Sequence, residues 1–188
     1  MEGKIKGCRV ARVALHDPAV FFGLKQSLEH VMPNRAVVFV SEASPYLSAG
    51  RLVELMADAE RFNRQAGVTG VTLYDGARFL SYMEGAPDGL RVAYARASEA
   101  RSHLNLIELA RGRVSQRRLP RWPMRLFEAN EGQLQSIAMA GWAGFAQRGD
   151  AEAMNATAMD LLVRFTGGPA ASVYVGPLSR PLSKGGAN

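Results

Sequence analysis

Residues 68–85, VTGVTLYDGARFLSYMEG, decide the fold. Two apolar runs, Val68 to Tyr74 and Arg78 to Glu84, flank Asp75-Gly76. That pair predicts a tight hairpin, because both residues tolerate positive φ. In the second strand Phe79 and Met83 point one way and Leu80 and Tyr82 the other. Both faces are apolar, so both need cover. Upstream, Ser48 can cap a helix running to Ala66, with Leu52, Leu55, Met56, Ala59 and Phe62 along one face, and Gly67 stops it. Before that helix, Val37–Val40 is short, apolar and β-branched, so it reads as a strand. Downstream, Pro87-Asp88 opens a second helix with Leu90, Ala93, Tyr94 and Ala97 on one face. Leu104–Ala110 reads as a strand, and Trp122–Phe127 as a last one. The order β-α-β-β-α-β, with one further strand, predicts an α+β, ferredoxin-like antiparallel sheet with two helices on one face.

The second face needs its own cover. Leu134, Ile137, Gly141, Trp142 and Phe145 have helical spacing, and Asp150 can cap another helix carrying Met154, Leu161, Leu162 and Phe165. Gly167-Gly168-Pro169 ends it. Far upstream, Asp17-Pro18 starts a helix with Val20, Phe21, Leu24, Leu28 and Val31 on one face, stopped by Pro33-Asn34. The expected organisation is an N-terminal extension with one helix (1–34), a central domain (35–128), a C-terminal helical pair packed on the sheet (129–167) and a flexible tail rich in Gly, Pro and Ser (168–188).

Composition narrows the function classes. Of 188 residues, 47 % are hydrophobic and 21 % charged, which suits an ordinary globular protein. No apolar run approaches the ~20 residues of a membrane span, and the N-terminus has no continuous apolar core, so a cytoplasmic location is expected. A single cysteine, Cys8, excludes an internal disulfide framework. Histidines 16, 30 and 103 lie far apart and away from any carboxylate cluster at ligand spacing, so no metal site is expected. No nucleophile–base arrangement stands out, so the chain reads as regulatory rather than as an enzyme. The net charge of +6 is concentrated in Arg111, Arg113, Arg117, Arg118, Arg121 and Arg125. That stretch reads first as a solvated edge and second as a nucleic-acid contact, since no aromatic stacking motif is interleaved with it.

Three segments, VVFVSEASPYLS (37–48), AERFNRQAGVTGVTLYDGARFLSYMEG (59–85) and RSHLNLIELARGRVSQRRLPRWPMRL (101–126), resemble in order and spacing the BLUF family of blue-light sensors using flavin. The resemblance covers about half of the chain. It implies a flavin between the two helices, over the sheet. Carried over position by position, the asparagine that holds the ring's polar edge is Asn63. The histidine near the flavin's side chain is His103, and the tryptophan and methionine of the last strand are Trp122 and Met124. Three positions depart from the family. The tyrosine that donates electron and proton is Phe39, the glutamine that bridges tyrosine and flavin is Ser81, and the basic residue before the histidine is Ser102.

These departures carry a chemical consequence. Phenylalanine has no hydroxyl proton and oxidises far less readily than a phenol. A serine hydroxyl cannot span ring edge and strand neighbour as an amide does. Tyr82, next to Ser81, should point to the opposite sheet face. The expectation is a BLUF-like regulator without the usual light-driven cycle, acting through a protein partner such as a transcription regulator or signalling protein, and self-associating. Binding of FAD or FMN, of another small ligand, or of nothing in the groove stays open. Two rivals stand beside this reading: a flavin photoreceptor with altered chemistry, for example with Trp122 as electron donor, and a nucleic-acid-binding regulator using the arginine stretch.

Overall fold

The computed structural model describes residues 33–142, 145, 156–167 and 172–173. The expected N-terminal helix, together with Asp150 and Met154, lies outside them. The described elements are β1 (Asn34–Ala43), α1 (Ala49–Gln65), β2 (Val68–Tyr74), β3 (Arg78–Gly85), α2 (Pro87–Ser98), β4 (His103–Val114), β5 (Arg125–Glu128), α3 (Glu131–Met139), α4 (Ala158–Gly167) and β6 (Ser172–Val173). They form one six-stranded sheet in the order β4-β1-β3-β2-β5-β6. The first four strands have the ferredoxin-like order and are antiparallel.

The local signals explain most boundaries. The Ser48 hydroxyl accepts from Arg51 N–H and starts α1, and Gly67, at φ +66°, lets the chain leave it. Pro87 opens α2, and Asn130 and Gln133 form a reciprocal capping box on α3. Asp75 Oδ1 accepts from the N–H groups of Ala77 and Arg78 and fixes the hairpin.

Five expectations need correction. The hairpin centres on Gly76-Ala77, not on Asp75-Gly76: Gly76 alone takes a positive φ, of 100°, while Asp75 serves by its side chain. The sheet is mixed, because β5 runs parallel to β2 (Leu73 opposite Phe127). That last strand begins at Arg125 rather than Trp122, since Pro123 has no N–H to give to a ladder. α3 stops at Met139, where Ala140 turns to extended backbone, so Trp142 and Phe145 reach the sheet from a connecting segment. Finally, the tail is not structureless throughout: Ser172–Val173 pairs antiparallel with β5.

The sheet is covered on both faces. Ala36, Val38, Leu80, Tyr82, Val71, Leu73 and Phe127 pack beneath Leu134, Ile137, Ala158, Met159 and Leu162 of α3 and α4. On the other face Val37, Phe39, Val68 and Met83 meet Leu90 and Ala93 of α2, while Phe79 and Leu126 meet Leu52 of α1. The parity of β1, β2 and β3 thus sends one set of side chains toward α1 and α2, and the candidate site lies there. No helix among the described residues is long and apolar enough to cross a membrane.

Candidate functional site

Between α1, α2 and the sheet runs a groove of about 270 Å³. That is near the lower end of ligand cavities, roughly 300–1,000 Å³. Phe39, Leu55, Phe62, Phe79, Met83 and Met124 give it apolar walls. At its mouth Arg96 of α2 pairs with Asp58 of α1. The Arg96 guanidinium beside Asp58 holds that carboxyl below the usual carboxylate range. The same guanidinium lies 4.7 Å from the Phe62 ring centre, so one cation ties both helices together.

Six of the seven positions carried over from the sequence line this groove: Phe39, Asn63, Ser81, Ser102, His103 and Met124. Asn63 is buried on α1, but it does not cap its own helix. Its Nδ2 donates to the carbonyl of Pro123 at 2.9 Å and ties α1 to the segment before β5. Ser81 Oγ lies 2.9 Å from Thr72 Oγ1, directly across the hairpin. Thr72 Oγ1 in turn points its proton at Met124 Sδ at 3.4 Å. The short hydroxyl at the bridge position is therefore already engaged by its strand neighbour. Thr72 was missed in the sequence: counted back from a hairpin centred on Asp75-Gly76 it would face Phe79, and the observed centre at Gly76-Ala77 sets it opposite Ser81.

His103 has both ring nitrogens in use. Nε2 donates to Ala97 O at 2.7 Å, since a carbonyl can only accept, and in the neutral ring Nδ1 accepts from the Ser41 hydroxyl at 2.9 Å. Burial lowers the imidazole's pKa, against the bond to Ala97, which raises it. The ring lies near-parallel to Phe39, with centroids 6.4 Å apart. Ser102 Oγ also lines the groove, and it is buried without a hydrogen-bond partner.

Trp122 is the exception. It stands outside the groove, edge-on to Phe127 at 5.7 Å and with the Arg125 guanidinium 5.6 Å from its ring centre. Tyr82, as its parity predicts, points to the opposite face. Its hydroxyl donates to Glu84 at 2.8 Å, and burial, reinforced by that carboxylate, raises its pKa well above the ordinary phenol. Glu84 itself is fully buried and accepts from the N–H groups of Arg118 (2.8 Å) and Leu119 (2.6 Å). Of the arginine stretch, Arg111 pairs with Glu108, Arg118 with Asp160, and Arg117 donates to Gly67 O. Half of the cations proposed for nucleic acid thus serve the fold.

The ferredoxin-like sheet thus carries a groove under two helices that is polar at a few points and apolar elsewhere. Residues 35–125 match the family model described as BLUF, sensors of blue light using FAD. The blue light- and temperature-regulated antirepressor BluF of Escherichia coli (strain K12) is 27 % identical over 90 residues, which are 48 % of this chain and 22 % of that protein. The match therefore spans about a fifth of the relative's length. Among solved structures, BlrB, a BLUF protein in its dark state, superposes with a TM-score of 0.50 at 22 % identity over 56 % of this chain and 79 % of its own. BlrP1 of Klebsiella pneumoniae, in a calcium and cyclic-diGMP complex, gives 0.53 at 24 % identity over 71 % and 34 %. At that identity the two structures speak for the fold alone.

Proposed function

We propose that this chain is a signalling protein of the BLUF family whose light-driven proton relay is interrupted, and whose output passes through contact with another protein. The supporting observation is the pair of positions facing the groove where the family keeps its donor and its bridge. Phe39 has no proton to give, and Ser81 spends its hydroxyl on Thr72. The neighbouring phenol, Tyr82, is bonded to Glu84 on the far side of the sheet. Among the described residues no tyrosine lines the groove.

The groove still suits a flat ring system with a few polar edges. The buried, partnerless Ser102 Oγ is what an absent hydrogen-bonding ligand would leave behind. Asn63 and Ser102 would hold a flavin's polar groups, and Phe39, Leu55, Phe62 and Met83 its ring faces. A bound flavin would supply a chromophore and a redox centre. His103, neutral and satisfied on both sides, shapes the wall rather than exchanging protons with it. The reading in which Trp122 replaces the tyrosine as donor loses support, because that ring packs outside the groove.

Gel filtration with light scattering, run with added FAD in darkness and under blue light, tests the proposal. A mass above that of one chain, the same in both conditions, is expected. A mass that changes with illumination would contradict it, and a monomer at high concentration would remove self-association from the account.

A further inference from the structure

A second groove, of about 390 Å³, lies on the outer side of α1. We propose that it docks an acidic amphipathic helix of a partner protein. This deepens, and rests on, the reading that output passes through protein contact.

One wall is a stripe of α1, formed by Val53, Met56, Ala57, Glu60 and Arg64, which recur at helical spacing. The facing wall is Trp122, Pro123 and Leu126 with Val173 of β6. Val53 is 43 % exposed, a β-branched side chain held at the surface beside this opening. The rim is cationic. Arg64, Arg121 and Arg125 face a single carboxylate, Glu60, and Glu60 is taken by Arg64 at 2.6 Å. Among the described residues neither Arg121 nor Arg125 has an ion pair. An apolar floor between unpaired guanidinium groups complements a helix whose apolar stripe is flanked by carboxylates. A nucleic acid fits less well: the Arg125 guanidinium already lies against Trp122, and Phe127 packs at 5.7 Å, so the ring is a poor platform for a stacked base.

The two grooves share a wall. Met56 and Met124 line both, and unbranched thioether chains repack readily. A ligand filling the inner groove would push on the same two side chains that floor the outer one. Asn63 and Thr72 hold the Met124 segment from the inner side through Pro123 O and Met124 Sδ.

The test uses a fluorescein-labelled helical peptide of leucine, alanine and glutamate with its leucines at helical spacing, titrated with the full chain and read by anisotropy. Saturable binding that weakens with salt is expected, together with no binding of the lysine-for-glutamate counterpart. Arg121→Glu and Val53→Glu, both at exposed positions, should each weaken binding by about tenfold or more while circular dichroism stays unchanged. If either variant fails to fold, Arg121→Gln serves instead. Absent binding of the glutamate peptide, equal binding of the lysine peptide, or folded variants that bind like the parent would overturn the proposal. So would tighter binding of a labelled single-stranded oligonucleotide at the same site. The titration needs neither flavin nor light, so its failure leaves the interrupted relay standing.

Discussion

Glu84 and His103 show how single buried groups hold the groove in shape. Glu84 lies at zero exposure, with no cation paired to it among the described residues, and accepts from the Tyr82 hydroxyl and two successive backbone N–H groups. It therefore fastens the connection between β4 and β5 that leads to Trp122 and Met124. Glu84→Gln keeps the volume but turns a pair of acceptors into one acceptor and one donor aimed at donors. A loss of about 2 kcal/mol is expected, since buried donors are left facing a donor. Urea unfolding at neutral pH checks it, and an unchanged midpoint would show that the clamp contributes nothing. His103 gives a pH signature. Its folded pKa lies below the unfolded value of about 6.5, so the unfolded state binds the proton first as pH falls. The stability it contributes is full above about pH 6.5 and is lost as pH falls through the window below that value. The urea midpoint of the parent should drop between about pH 7.5 and 5.5 more than that of His103→Gln. Equal slopes would mean that the imidazole is not held neutral.

At the scale of elements, the packing of α2 onto the turn after α1 decides the width of the groove. Gly89 is where they touch: a methyl group there would overlap the Ala66 carbonyl oxygen. Gly89→Ala is expected to cost about 1–3 kcal/mol by forcing the helix away, although alanine has the better helix propensity. Thermal unfolding measures it, and a stabilised variant would refute the close approach. Much of this level was legible in the sequence, because it rests on local chemistry: Ser48 and Gly67 bound α1, Pro87 opens α2, and the alternation in β3 sends Ser81 and Tyr82 to opposite faces. What was not legible rests on distant partners. Asn63 reaches Pro123, sixty residues away, and no spacing rule encodes that. The parity that would place Trp122 beside Met124 fails because Pro123 interrupts the strand, and Trp122 turns to Phe127 instead. The parallel pairing of β5 with β2 depends on where the segment after β4 crosses, which local patterning does not fix.

For the whole molecule, the helices α3 and α4 bury their apolar stripes on the sheet, so they act first as the second cover of the core and only secondarily as a surface. Met139, at 81 % exposure, is the large apolar side chain they leave outside. The outer side of α1 with its cationic rim is the face proposed for a partner. The groove's polar groups are largely spent on one another, and on the proposed reading light does not drive the protein. The most direct measurement is the absorption spectrum of freshly purified protein, before and after addition of FAD and then blue light. The account predicts no reversible red shift of flavin bands on illumination, whether or not flavin is bound. A shift that appears with blue light and decays in the dark would show that Phe39 and Ser81 do not interrupt sensing, and would contradict it.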